Sequence, residues 1–308
     1  MRGYVMARKF NVLVDRARTA SSSRLLDRPV KADAGVENSP AGIYSPMKEV
    51  FEVVVTAGEI FGFEFLRVEP DEHIIVFDGA DTKDKKLFLT AFATPNDMEL
   101  KAGFAIGDMD ELRPLFRENT SFEISYSEVE VPVFDDNENT QRKSEVRTQT
   151  KMRAIYFVFN DGDVKHYLAN IACAPTVRLK GLFEPTLSIS LDLQTSFVEF
   201  TKHAKRLKSA ERFGIEIKSN VVKFRVGQQG SHHAYVNMGA CNDGADVGRH
   251  EFEIRPFLKT IKFATEIGSG RIVCNIDRNT GLMKLDFDVL TKYDEPIAFH
   301  IILPGNLN

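Results

Sequence analysis

The sequence predicts an α+β protein made of two copies of one β-rich domain, each copy carrying two helices on one face of its sheet. Three observations point there. Most of the chain after residue 46 alternates apolar and polar residues in short runs, as antiparallel strands do. Each half holds two segments whose apolar residues instead recur at helical spacing. The order of these segments is the same twice, and two pairs of stretches line up at offsets near 150. GFEFL (62–66) matches FGIEI (213–217), and FAIGDMDELRPLF (104–116) matches FEIRPFLKTIKFA (252–264).

Residues 1–45 hold few large apolar side chains after Val14 and contain the turn-like runs TASSSR and ENSPAG, so they read as a disordered tail. From Pro46 the stretch PMKEVFEVVVTAGEIF places apolar residues at 47, 50, 54, 57 and 61, a helix with Ser45 as a plausible cap. Its β-branched run, Val53 to Val55, leaves a strand open as the alternative. GFEFLRVE, HIIVFDGA and KKLFLTAFA follow as three strands, then AGFAI, the helix DMDELRPLFRE and the strand FEISYSEVEV. Residues 132–151 are polar and charged and read as a long loop. RAIYFVFNDGDVKHYLANIA is a hairpin that turns at Asn160-Asp161-Gly162. These elements define an N-terminal domain over 46–172. Pro175 and Pro185 mark a connector over 173–186, and 187–308 forms the second domain.

That second domain opens on the strand LSISLDL and the stretch FVEFTKHAKRLKSAER. Set out at 100° per residue, Phe197, Phe200, Ala204 and Leu207 fall within an arc of about 80°. Lys202, Lys205 and Arg206 centre on the opposite side, and Lys208 and Arg212 follow. RPFLKTIKFATE repeats the construction, with Phe257, Leu258, Ile261 and Ala264 apolar and Arg255, Lys259 and Lys262 on the other side. One basic helix is commonly a solvated face. Two in one layer, in a chain of net charge −4, point to a phosphate backbone contacted without reading bases. Residues 1–31 carry eight basic and two acidic side chains, a net +6, which leaves −10 for the remainder. An acidic body with local basic helices confines any polyanion to one surface.

Several functions are set aside. No run of 18 uncharged apolar residues occurs, which excludes a spanning helix of that kind. No phosphate-binding loop, dinucleotide fingerprint or nucleophile elbow is present, so no enzyme activity and no cofactor are expected. His232, His233, Cys241 and His250 are close in sequence but match no ligand spacing, and 135–146 lacks the Gly and Glu of a calcium loop. Cys173, Cys241 and Cys274, odd in number and far apart, fit thiols of a reducing compartment.

The helix-and-strand unit FVEFTKHAKRLKSAERFGIEIKSNVVKFRV, the stretch FEIRPFLKTIKFA and the ending GLMKLDFDVLTKYDEPIAFHIILPG together resemble a DNA polymerase sliding clamp. The likeness is to the tailed-phage type related to the eukaryotic and archaeal clamps, covers roughly residues 45–308 and is strongest after 186. It implies a DNA-clamp fold and a homotrimeric ring around duplex DNA, an ATP-driven loader that opens it, and a polymerase that it tethers. It places the chain in the cytoplasm and away from membranes. It also implies that Lys202, Lys205, Arg206, Lys208, Arg212, Arg255, Lys259 and Lys262 face DNA, joined by Arg113 and Arg117 from the first domain. Leu182 and Phe183 on the connector, with Leu303 and Pro304 near the end, would border a groove for partner peptides. The first domain departs from this pattern: Glu49, Glu52 and Glu59 outnumber Lys48 on its first helix, and Asp110, Glu111 and Glu118 surround Arg113 and Arg117. A non-enzymatic structural or assembly protein of two β-rich domains remains the second reading at this stage.

Overall fold

The computed structural model describes residues 13–15 and 46–307, apart from 72, 95–99, 120–121, 134–146, 160–161, 179–182, 194, 228–231, 242–244, 246, 270 and 293–295. A short strand, β1 (Leu13–Asp15), comes first. The first repeat runs α1 (Pro46–Phe61), β2 (Leu66–Asp71), β3 (Ile74–Ala80), β4 (Phe88–Ala93), β5 (Phe104–Ile106), α2 (Met109–Glu118), β6 (Phe122–Val133), β7 (Arg147–Phe159) and β8 (Val164–Tyr167). A 3-10 turn and β9 (Thr176–Arg178) lead to β10 (Leu187–Asp192). The second repeat then runs α3 (Ser196–Arg206), β11 (Arg212–Lys218), β12 (Val221–Val226), β13 (Ala234–Ala240), β14 (His250–Glu253), α4 (Ile254–Glu266), β15 (Arg271–Asp277), β16 (Leu282–Leu290) and β17 (Pro296–Pro304). A last strand, β18 (Asn306–Leu307), follows.

The segment left open between helix and strand is the helix α1. Met47, Val50, Phe51, Val54 and Ala57 form one dry stripe, and burying it outweighs the weak helix preference of Val53–Val55. Pro46 starts it, where a missing N–H costs nothing. Gly62, at φ 74°, ends it: its N–H reaches Glu59 O at 3.1 Å while Phe63 N–H reaches Gly58 O at 3.0 Å, the paired bonds of a left-handed helix stop.

Two expectations about irregular segments are corrected. Within the supposed tail, Leu13–Asp15 is a strand paired antiparallel with β9; the rest of 1–45 lies outside the described residues. The supposed loop at 132–151 is shorter, because residues 132–133 extend β6 and 147–151 open β7. The ladder continues there through pairs such as Val129↔Lys151 and Val131↔Gln149, each setting a β-branched residue opposite a long polar one.

The strands form four antiparallel sheets among the described residues. The largest has eight strands in the order β10-β15-β16-β17-β4-β3-β2-β5. It crosses from one repeat to the other where β17 pairs with β4, from Ile297↔Ala93 to Ile302↔Phe88. A five-stranded sheet, β13-β12-β11-β14-β18, belongs to the second repeat, and a three-stranded sheet, β6-β7-β8, to the first. The repeats correspond in detail: β14 is closed by β18, and in the first repeat an isolated Ala105↔Ala169 bridge closes β5 in the same place. The helices pack in one layer, α1 against α2 and α4, and α4 against α3.

Phenylalanines fill the space between helices and sheets. Phe51 of α1 touches the rings of Phe77, Phe104, Phe116, Phe122 and Phe157 at centroid separations of 5.3–6.3 Å. In the second repeat Phe257 of α4 does the same for Phe197, Phe200, Phe213 and Phe224 at 4.8–5.8 Å. Phe61 and Phe263 join the two clusters at 5.4 Å, so one core runs through both repeats. Phe51→Ala removes the ring on which five others rest. It is expected to cost about 3–5 kcal/mol, read as a lower urea midpoint at unchanged slope, and a loss below about 1 kcal/mol would contradict this packing.

Candidate nucleic-acid interface

In α3 the buried residues are Phe197 and Phe200, while Lys202, Lys205 and Arg206 stand exposed on the outward face. The helix is shorter than the sequence suggests. It ends at Arg206, and Leu207, Ala210 and Ala204 pack partly against the core as the chain turns into β11. Lys208 therefore sits exposed in a turn, and Arg212 is the first residue of a strand, opposite Glu253. Neither shares the helical face expected for it.

In α4, Phe257, Ile261, Phe263 and Ala264 are buried, and Arg255 and Lys262 are exposed. Lys259 is not. Its Nζ donates to Phe61 O at 2.6 Å, at the carboxyl end of α1, where the helix dipole favours a cation. Burial lowers the Lys259 pKa from its ordinary value, and the charge of Arg255 lowers it further. This lysine caps the first repeat's helix from the second, a role no periodicity could reveal.

The first repeat's cations are also committed. Arg113 of α2 reaches Glu59 of α1 at 2.5 Å and Glu266 of α4 through its second nitrogen, with its side chain largely buried. Burial works against its charge, but the two carboxylates outweigh this and raise its pKa. Arg117 lies 3.6 Å from Glu52 and 3.7 Å from Glu266. Glu52 and Glu59, visible in the sequence as an acidic excess, thus serve as partners for these arginines. Of the residues expected to face DNA, Lys202, Lys205, Arg206, Lys208, Arg212, Arg255 and Lys262 are exposed and stand in none of the ion pairs that hold Arg113 and Arg117. Lys202, Lys205, Arg206, Arg255 and Lys262 belong to the neighbouring helices α3 and α4.

The connector residues divide in a similar way. Leu182 lies outside the described residues. Phe183 is half-buried and packs, with Val177, on a small second apolar cluster of Ala80, Phe88, Leu282 and Ile302. Leu303 is only 2% exposed and belongs to the main core, so it borders no surface groove. The reason is the strand's period of two: on β17, Ile302 and Pro304 share one face while Leu303 points to the other. That alternation was available in IAFHIILP, and the cluster residues Val177, Ala80, Phe88 and Leu282 carried no signal of their own.

Among the described residues no helix is long and apolar enough to cross a membrane. No family model matches the sequence, and no curated protein matches it significantly. Among solved structures the chain is similar to one in the PCNA2–PCNA3 complex from Sulfolobus tokodaii. The two are 8% identical, the match covers 84% of this chain and 96% of that one, and the TM-score is 0.48. Superposition at that level adds nothing to a functional assignment, which rests on this chain's own topology and charge.

The capping and exposed lysines are expected to respond differently to substitution. Lys259→Met removes a charge-assisted bond at a helix end and should cost about 1–2 kcal/mol in a urea titration. Lys202→Met should stay within about 0.5 kcal/mol. Equal losses for the two would contradict the division made here.

Proposed function

We propose that this chain is a sliding clamp, a non-enzymatic processivity factor that closes into a ring around duplex DNA and holds a polymerase there. The observation that carries the reading is the joint between the repeats. Within the chain, the third strand of one closing hairpin set, β17, pairs with the third strand of the opposite set, β4. The strands equivalent to these by the internal repeat are β8 and β13, and each is an edge strand of its sheet. Adding β8 of one copy to β13 of the next would repeat the internal joint, giving β6-β7-β8-β13-β12-β11-β14-β18 beside the existing eight-stranded order. Such a contact is heterologous, so copies propagate head to tail until they close.

Both edges also carry exposed aromatic rings, Tyr167 on β8 at 75% exposure and Tyr235 on β13 at 46%. An edge strand with exposed aromatic side chains is a natural site for strand pairing between chains. In the closed assembly the helix layer of each copy would line the hole, and Lys202, Lys205, Arg206, Arg255 and Lys262 would meet phosphate. Contacts of this kind are sequence-independent and exchange readily, so the ring slides, and topology rather than affinity retains it. Lys208 and Arg212 would lie at the border of that surface. Arg113, Arg117 and Lys259 support it through their bonds to neighbouring helices. The resemblance to sliding clamps supplies the homotrimer, the ATP-driven loader and the polymerase as partners, with Phe183 and Pro304 at the border of their peptide site. A purely structural role has less support, because a scaffold has no need of unpaired cations on two neighbouring helices.

Light scattering at micromolar concentration is expected to give a closed multimer, and Tyr167→Glu should shift it toward the single-chain mass while leaving the circular dichroism unchanged. A wild-type protein that is strictly monomeric at these concentrations would overturn the ring. With Lys202→Glu and Arg206→Glu together, the salt slope of duplex binding should flatten by about 2, close to 0.9 for each lost phosphate contact. An unchanged slope would remove α3 from the DNA face.

A further inference from the structure

The three-stranded sheet β6-β7-β8 has one dry face and one wet one. Phe122, Phe157 and Phe159 are buried on the first, against Phe51 of α1 and Phe116 of α2. The composition of the second face depends on a bulge. Strict alternation along β7 would set Tyr156 on one side and Arg153 and Lys151 on the other. However, Ser125 pairs with Tyr156 and Tyr126 with Ala154, so Ile155 is an extra residue and the parity of the strand changes there. Tyr156, Arg153 and Lys151 therefore share the outer face, and Lys165 and Tyr167 of β8 join them. Tyr167 lies directly opposite Tyr156 with ring centroids 6.0 Å apart, and Lys165 Nζ stands 4.9 Å from the centre of the Tyr156 ring. Lys151, Arg153, Lys165 and Tyr167 are exposed. Glu128 and Glu130 point to the opposite face, which leaves Glu123, near the start of β6, as the acid on this one.

The internal repeat supplies a comparison. β15, β16 and β17 are the counterparts of β6, β7 and β8, and their outer face is filled differently. There Asp286 accepts from Asn275 Nδ2 at 2.8 Å, lies 2.6 Å from His300 Nδ1 and pairs with Lys284 at 3.1 Å, a set closed on itself. The fold thus makes no demand for tyrosines and free cations at this place. We propose that the outer face of β6-β7-β8 binds single-stranded nucleic acid, with Tyr156 and Tyr167 as platforms for bases and Lys151, Arg153 and Lys165 on phosphates. A surface of rings flanked by cations suits that polymer, because every base offers a π-face and the backbone charge is the same whatever the sequence. Duplex DNA keeps its bases stacked and paired, and an oligomer of acidic residues satisfies the cations but brings no ring to the tyrosines. This surface lies across the sheet from the helix layer, so it is separate from the cations of α3 and α4 and does not rest on ring closure.

Fluorescence anisotropy of a labelled oligothymidylate of about 20 nucleotides, mixed with the full-length chain at low salt, tests the assignment. Lys151→Glu with Arg153→Glu is expected to weaken binding about tenfold or more and to flatten its salt slope by about 1.4, near 0.7 for each lost phosphate of a single strand. Tyr156→Val keeps a strand-compatible residue and all the charges; it should weaken binding about fivefold or more at unchanged slope, the loss of one stacked base. Lys202→Glu with Arg206→Glu should leave binding of this probe within about threefold. No binding by the wild type, or binding that persists in both sheet variants, would overturn the proposal. So would displacement of the probe by an oligoglutamate of equal charge as readily as by unlabelled oligothymidylate. Tyr167 borders the joint between copies and is left intact in every variant. Light scattering and circular dichroism of the same proteins report ring closure and folding separately, so failure of the clamp reading and failure of this one are distinguishable.

Discussion

The pairing of β17 with β4 is the constraint on which the rest of the molecule depends. It fuses two repeats into one eight-stranded sheet and so fixes their relative orientation. Behind that sheet, α1 and α4 meet across the same boundary, with Phe61 against Phe263 and Lys259 on the last carbonyl of α1. Neither repeat could move relative to the other without breaking a strand ladder, an aromatic contact and a helix cap together. The helix layer is therefore rigidly placed, and the positions of its exposed cations follow from the joint. Because the joint relates one repeat to the next, it also states what a junction between separate copies would look like.

Charge is distributed to suit such a layer. The cations nearest the interdomain boundary are engaged from within: Arg113 pairs with Glu59 and Glu266, Arg117 with Glu52 and Glu266, and Lys259 donates to a backbone carbonyl. These pairs link three helices, α1, α2 and α4, and their contribution is geometric more than energetic, since partly exposed ion pairs add little stability. The exposed cations of α3 and α4, with Lys208 just beyond, carry no such obligation. Within the helix layer, the exposed and unpaired cations are thus those of α3 and α4.

Much of the architecture was legible in the sequence because hydrophobic periodicity reports burial directly. The repeat, the four helices and most strands follow from it, and the α1 ambiguity arose only where β-branched residues sat on a helical stripe. What was not legible depends on which groups meet in space. α3 ends at Arg206, and Leu207 and Ala210 pack partly against the core beyond it, so Lys208 and Arg212 leave the helical face. Arg113 looks like any exposed arginine until Glu59 and Glu266, 54 and 153 residues distant, close around it. Leu303 follows the inward alternation of β17 rather than the groove position that the resemblance implies for it, and β1 is only three residues in an Arg- and Ser-rich stretch, too few to carry a period. In each case local composition was correct and the partner was non-local.

The central claim is that copies of this chain repeat the internal joint between β8 and β13 and so close around a hole lined by the helix layer. Single-particle imaging of the purified protein at micromolar concentration tests it most directly. The account predicts a closed ring with a central opening wide enough for a duplex. Isolated two-lobed particles, or open filaments that never close, would contradict it.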